Sequence, residues 1–168
     1  MRSAPALSYL DETSYLSLVS ESIAQALRPW REIAALPAER RSLEERIPRY
    51  AVLTPMLLIP LGSGAERRDE AIAKANLAGA ALALKAYHNK TGSYPASLDE
   101  LRQVIPWKVP EDPFSGRPLI YKRQGAGFLI YSIGADLRDD GGRPPDPLYY
   151  ERGGTGTPPG DMIWRDKS

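Results

Sequence analysis

Apolar residues recur at three- and four-residue steps along the first amphipathic segment of the chain, residues 11–28. This spacing predicts a helix with one buried apolar stripe. Pro29 then predicts either the end of this helix or a kink in it. The predicted stripe consists of Leu16, Val19, Ile23 and Leu27.

A second, weaker helix is predicted to begin near Pro37, because proline is tolerated in the first turn of a helix. Its apolar edge, Leu43 and Ile47, is surrounded by charged residues, which is typical of a solvent-facing helix. Prolines then divide the apolar stretch within residues 49–64 into short pieces. We interpret these residues as a buried connector, with a partner-binding or membrane-surface segment as the alternative.

The strongest helical pattern runs over residues 65–89. Acidic residues occupy its first turns and basic residues its last turns, and both sets complement the helix dipole. At roughly 1.5 Å per residue, this helix would be about 38 Å long. Its alanines and Gly79 would let another element approach closely. The residues that fall on adjoining positions of this helix are Ile72, Ala73, Leu77, Ala80, Leu84 and Tyr87.

A capped helix, a hairpin and a last apolar segment follow. Ser97 and Glu100 have the spacing of a capping box, in which each side chain reaches the backbone N–H of the other residue. Residues 119–123 and 128–133 flank a glycine-containing turn and predict a β-hairpin. Residues 162–164 are well placed to add a third antiparallel strand. Helices followed by a small sheet predict an α+β fold.

Composition narrows the function classes. With 22 basic and 21 acidic residues among 168, there is no electrostatic reason to expect nucleic acid as a partner. The absence of cysteine excludes disulfides, thiolate catalysis and cysteine-ligated metals. The longest apolar run, residues 51–61, is too short for a bilayer span, which needs roughly 20 apolar residues. We expect no transmembrane segment, and no signal peptide is visible in the first ten residues.

The loop after the second predicted strand is rich in aspartate and glycine. Asp136, Asp139 and Asp140 lie within five residues, so their charges repel unless solvated or neutralised by a cation. Calcium accepts about six to eight oxygen ligands in flexible geometry and suits such a loop better than magnesium. The EF-hand pattern is only half met, because Arg138 and Pro147 occupy its third and twelfth positions. From composition alone, a solvated turn is an equal alternative.

Several elements in a fixed order resemble one known family. They are a long alanine-rich helix ending in LKAYHNKTGSYPASLDEL, then DPFSGRPLIYK, then FLIYSIGADLRDDGG, and a terminal GDMIW strand. Residues 65–165 therefore resemble the soluble part of type II secretion major pseudopilins of the G type. They resemble still more closely a group of largely uncharacterised bacterial proteins with the same carboxy-terminal module. The most specific elements are Tyr94 with Pro95, the DPxxGxPxxY element beginning at Asp112, and the YSxGAD element ending at Asp136.

The resemblance implies a long helix packed on a three-stranded antiparallel sheet, with a calcium-binding loop between the last two strands. In such pseudopilins the ion is held by a backbone carbonyl, by the aspartate of the GAD element and by acids just ahead of the last strand. In this chain these groups are the carbonyl of Ile133, the side chain of Asp136 and the side chain of Asp161. Asp139 and Asp140 are additional candidate ligands.

Two features depart from the family pattern. Residues 142–160 form a longer loop than is usual in the family, so Asp146 and Glu151 remain further candidates. Residues 1–60 are amphipathic and charged, where a pseudopilin has a leader and a hydrophobic helix. We therefore expect two regions, an amino-terminal helical region and connector over residues 1–63 and a pseudopilin-like domain over residues 64–168. We expect no assembly through a hydrophobic helical stalk.

These observations predict a non-enzymatic structural or interaction protein with a calcium-binding loop, acting in a secretion, pilus-like or other envelope assembly. The resemblance alone favours an extracytoplasmic or cell-envelope location. The amino-terminal helices would dock onto a protein partner or another copy of the chain. Leu148, Tyr149 and Tyr150 form a second candidate contact surface, with packing onto the parent sheet as the alternative. The alternative function is a metal-dependent hydrolase, although the chain has no common hydrolase motif and only one histidine, His88.

Overall fold

The computed structural model describes residues 4–36, 47–49, 51–52, 54–55, 64–104 and 108–166. Most of the predicted second helix and of the connector that follows it lies outside these residues. The described helices are α1 (Ala4–Ala26), α2 (Trp30–Ala34), α3 (Gly64–Thr91) and α4 (Leu98–Val104). The strands are β1 (Ile120–Gln124), β2 (Gly127–Ser132) and β3 (Met162–Asp166). This order, with a long helix packed on a three-stranded antiparallel sheet, confirms the predicted α+β fold.

The chain divides into two compact units, Met1–Arg68 and Asp69–Ser168. The domain boundary predicted from the sequence lies a few residues earlier, after residue 63. The division into functional domains stays a prediction. Within the described residues, no helix is both long enough and apolar enough to cross a membrane.

In the first unit, the buried stripe predicted for residues 11–28 is wrong at three of its four positions, because only Val19 is partly buried and packs against Leu18. Leu16, Ile23 and Leu27 are 54%, 56% and 76% exposed. The buried face instead carries Asp11, Leu18 and Ser22. Asp11 explains this choice of face, because its carboxylate accepts hydrogen bonds from the N–H of Val52 at 2.9 Å and from the hydroxyl of Thr54 at 2.5 Å. A buried carboxylate needs such partners, and they lie on only one side of the helix.

In the second unit, α3 packs one face against the sheet. The core between them contains five residues of α3 together with Phe128 and Ile130 of β2. Tyr94 and Leu101 belong to the same core. Ile72, which the sequence grouped with the adjoining apolar positions, is 43% exposed. The α3 residues in the core are Leu77, Ala80, Ala81, Ala83 and Leu84.

The sheet has the order β1-β2-β3, with both neighbouring pairs antiparallel. The central strand β2 is buried along its whole length. Phe128 and Ile130 face α3, so Leu129 and Tyr131 point to the other side of the sheet. There the loop between β2 and β3 covers them, because a Cβ on Gly142 would lie 2.5 Å from Leu129 Cδ2. The sheet is therefore covered on both faces at β2.

Candidate functional site

Asp112 lies in the turn before β1 and binds the residues where the acidic loop begins. It is buried, with only 1% of its surface exposed. Asp112 Oδ1 accepts hydrogen bonds from the N–H of Phe114 at 3.1 Å and from the hydroxyl of Ser132 at 2.7 Å. Asp112 Oδ2 accepts one from the N–H of Ile133 at 3.2 Å. The Ser132 hydroxyl oxygen in turn accepts from the N–H of Gly134 at 3.2 Å. Asp112 therefore fixes the point where the chain leaves β2.

The first turn of the loop brings its two ends together. The N–H of Leu137 donates to the carbonyl of Gly134 at 3.2 Å, and Leu137 has a φ of 61°. Gly134 has a φ of +75°, and a Cβ on it would lie 2.7 Å from the carbonyl oxygen of Gly160. Only glycine fits such a close approach with this backbone conformation.

Asp136 links the beginning of the loop to its end. Its Oδ1 accepts a hydrogen bond from the N–H of Arg138 at 3.2 Å. Its Oδ2 accepts one from the N–H of Gly160 at 3.2 Å, across 24 positions of sequence. The aspartate of the GAD element thus lies next to the residue that precedes Asp161.

Asp161 is fully buried and closes the loop from its other end. Its Oδ1 accepts from the N–H of Asp140 at 3.2 Å, and its Oδ2 accepts from the N–H of Gly142 at 2.6 Å. Its own N–H donates to the carbonyl of Arg143 at 2.7 Å. Burial raises the pKa of Asp161, and the nearby carboxylates of Asp139 and Asp140 also raise it, whereas the two N–H donors lower it. The ionised carboxylate is therefore held in a place where positive charge would stabilise it.

Asp139 ties the loop to the outer side of the sheet. Its Oδ1 accepts from the hydroxyl of Tyr131 at 3.1 Å and from the N–H of Gly141 at 2.9 Å. Lys122 of β1 lies with its Nζ 5.1 Å from the centre of the Tyr131 ring. The same Nζ donates to the carbonyl of Gly141 at 3.3 Å. Contacts of β1 and β2 thus hold the middle of the acidic segment.

The five predicted ligand residues all belong to this loop, but they have different roles. Asp136 accepts from the N–H of Gly160, the Asp140 backbone bonds to Asp161, and Asp139 accepts from the hydroxyl of Tyr131. The N–H of Ile133 bonds to Asp112. Among the residues that the structure describes, no three or more acidic or histidine side chains form a group that could hold a metal ion.

The chemistry of the donors nevertheless fits calcium. Carboxylate oxygens are the hard donors that this ion prefers. Each oxygen of Asp136 and Asp161 that accepts one N–H also keeps a second lone pair for a further partner. Asp136 and Asp161 would be the side-chain ligands, and the carbonyl of Ile133 the backbone ligand. The calcium site stays a prediction.

The later part of the loop is held by its own contacts. The hydroxyl of Tyr149 donates to the carbonyl of Thr155 at 2.8 Å, and the two adjacent tyrosine rings lie edge to face at 5.2 Å. Asp146, a further candidate ligand from the sequence, pairs with Arg152 at 2.7 Å. Tyr150 is 64% exposed. The tyrosine-rich segment is thus structured within the loop, and one of its aromatic rings faces solvent.

A shallow cavity of about 270 Å³ lies beside α4 and β1. Its polar lining includes Ser97, Asp99, Arg102 and Tyr121, and none of its lining residues belongs to the acidic loop. The Tyr121 hydroxyl donates to the carbonyl of Pro95 at 2.8 Å, and burial raises the pKa of Tyr121 to about 12. The loop carboxylates and this cavity are therefore separate features.

Sequence reasoning missed Asp112, which it treated only as the first residue of a turn. Its partners Ser132 and Ile133 are 20 and 21 positions away. One signal was available, because Ser132 is a polar residue at the end of an otherwise apolar strand and requires a buried partner.

No family model matches the chain, and no curated protein or solved structure matches it either. The resemblance to G-type pseudopilins therefore rests on the sequence elements alone.

Proposed function

We propose that this chain is a non-enzymatic structural or interaction protein whose pseudopilin-like domain holds the loop of residues 133–161 in one conformation for contact with a protein partner. Its place is a secretion, pilus-like or other envelope assembly. The observation that carries the proposal is the use of the loop carboxylates. Asp136 bonds to Gly160, Asp161 to Gly142, and Asp139 to Tyr131, so each one joins separate parts of the domain.

This use of the acids argues against the hydrolase alternative. A general acid or base must reach the proton of a bound substrate, and so must lie in a cleft that admits the substrate. Asp161 is fully buried and bonded to two backbone N–H groups, and the cavity beside α4 contains none of the loop acids. A hydrolase screen of the wild type and of Asp136→Asn and Asp140→Asn tests this. Activity that disappears in these variants would restore the enzymatic alternative.

We further propose that the loop binds calcium, with Asp136 and Asp161 as side-chain ligands. Burial and the neighbouring carboxylates both oppose the negative charge of Asp161. A cation at this position would remove that opposition and join the two ends of the loop. The ion would act as a structural support, since a loop held at both ends presents its exposed residues in a fixed arrangement.

A calcium titration followed by thermal unfolding and limited proteolysis tests the site. An ion that binds only the folded chain stabilises it by about 2.7 kcal/mol at a hundredfold excess over its dissociation constant. Asp136→Asn should abolish this response. Asp146→Asn should retain it, because Asp146 pairs with Arg152 in another part of the loop. Identical unfolding of the wild type in calcium and in chelator would refute the calcium site.

A further inference from the structure

The outer edge of β1 is open along the strand. Among the residues that the structure describes, β1 pairs only with β2, and the one bridge on its other edge joins Glu111 to Pro118, just before the strand begins. An edge strand presents a row of N–H and C=O groups that can pair with another extended chain. Residues 120–124 therefore offer a backbone template for one more strand.

The cavity between α4 and β1 lies beside this edge, on the face of the sheet that packs on α3. Leu119 and Tyr121 line it, and Tyr121 pairs with Ile130, which faces α3. A strand added about 4.8 Å beyond β1 would point every second side chain to the same face. Those side chains would lie over the cavity. Its apolar lining consists largely of buried Leu98, Val109 and Leu119, so it suits an apolar side chain.

Two arginines on this surface have no ion-pair partner among the described residues. Arg102 lines the cavity, and Arg123 lies two positions after Tyr121 and so on the same face of β1. Both arginines are exposed. Lys122 does not belong to this set, because it points to the other face and donates to a carbonyl of the acidic loop. Asp99 also lines the cavity and would repel a carboxylate placed inside it.

We propose that the outer edge of β1 binds an extended peptide of a protein partner as a fourth strand of the sheet, with an apolar side chain in the cavity and an acidic residue two positions away. The apolar side chain packs on Leu98 and Leu119, and the acidic residue faces Arg123. Backbone pairing supplies the affinity, and the cavity and the arginines supply the specificity. This surface is separate from the loop of residues 133–161, which covers the other face of β2.

A short synthetic peptide and the full chain test this binding by fluorescence polarisation. A central leucine in the peptide is flanked on each side by a glutamate two positions away, and threonines, which favour strands, fill the other positions. Wild-type binding should be saturable, and weaker when glycine replaces the leucine or lysines replace the glutamates. Arg102→Glu and Arg123→Glu should each weaken binding about three- to tenfold, because each reversal replaces attraction by repulsion at an exposed site.

Arg165→Glu is the matched control, because Arg165 is an exposed arginine on β3, the opposite edge strand. This variant should bind the peptide like the wild type. The lysine form of the peptide shows that the other two variants remain folded, since Arg102→Glu and Arg123→Glu should bind it more tightly than the wild type does.

Two N-methylated forms of the peptide test the strand pairing itself. Alternate residues of a strand turn their N–H groups to the same edge, so methyl groups on one alternate set block pairing with β1 and those on the other set point away. One form should bind and the other should not. Equal binding of both forms, no saturable binding of the unmodified peptide, or unchanged binding by both arginine variants overturns the proposal. The calcium titration concerns the loop alone, so a failure here is distinct from a failure of the calcium site.

Discussion

Replacing Asp112 with asparagine tests how the acidic loop is anchored to the domain. The amide keeps the shape of the side chain but exchanges one acceptor oxygen for a donor nitrogen. In one orientation this nitrogen faces the N–H of Ile133. In the other it faces the N–H of Phe114 and the hydroxyl of Ser132. The hydroxyl can turn to accept, but a backbone N–H cannot, so at least one donor loses its acceptor in either orientation.

The burial of Asp112 sets the size of the effect. The side chain is 1% exposed, so water has little access to replace the lost acceptor. A hydrogen bond to a charged group contributes about 1.5–3 kcal/mol. We expect Asp112→Asn to lower the free energy of unfolding by about 2–3 kcal/mol. For a chain of this length, 1 kcal/mol corresponds to about 2–4 °C in Tm, so Tm should fall by about 4–12 °C.

Urea denaturation and limited trypsin digestion measure the two consequences. Trypsin should cleave after the exposed Arg138 sooner in the variant, because in either orientation the amide weakens the set of contacts that holds the start of the loop. Asp146→Asn serves as the control, since its pair with Arg152 is exposed and should contribute only about 0–1 kcal/mol. If Asp112→Asn unfolds at the same urea concentration as the control, the assigned role of Asp112 is refuted.

Two further predictions concern the close backbone approach at Gly134 and the half-buried phenol of Tyr121. Gly134 and Gly141 have φ values of +75° and +74°, but a Cβ meets the Gly160 carbonyl oxygen only at Gly134. Both alanine variants should lose about 1–2 kcal/mol to backbone strain, and Gly134→Ala should lose about 1–3 kcal/mol more by urea denaturation; equal losses would contradict the close approach. The pKa of Tyr121 is about 12 in the folded chain and about 10 in an unfolded one, so its contribution to stability is complete below about pH 10 and is lost as pH rises toward 12. Denaturation midpoints between pH 9 and 12 should therefore fall less steeply in Tyr121→Phe, and an unchanged slope would contradict the assignment.

The parts of the fold that follow from local pattern were predictable. The long helix and the hairpin each have a regular period over many residues, and Gly125 in the turn has the positive φ, +59°, that such a turn requires. The buried face of α1 was not predictable, because apolar residues occur on both sides of that helix. The choice depends on Asp11 and Thr54, which are 43 positions apart. No local pattern contains that contact.

The acidic loop shows the same limit at the level of chemistry. Its aspartates and glycines predict a turn that binds either water or a cation. Composition does not distinguish these two roles from a third, in which the carboxylates accept hydrogen bonds from the loop backbone. In the structure, Asp136 and Asp161 accept backbone N–H groups of the loop itself. Those partners are 24, 21 and 19 positions away from the carboxylates. The order of elements predicts that the acids lie in one loop, but only the folded backbone defines their partners.

The double covering of β2 has a consequence for how the second unit forms. β2 carries the apolar sequence FLIY, and its residues are buried by α3 on one face, by the loop on the other and by β3 along one edge. During synthesis, β3 emerges about thirty residues after β2, so this strand waits with an open edge until residues 162–166 arrive. An apolar strand with an open edge is a template for pairing with other chains. A chain that stops within the loop would therefore leave this apolar edge open, and the arrival of the last strand is the step that closes it.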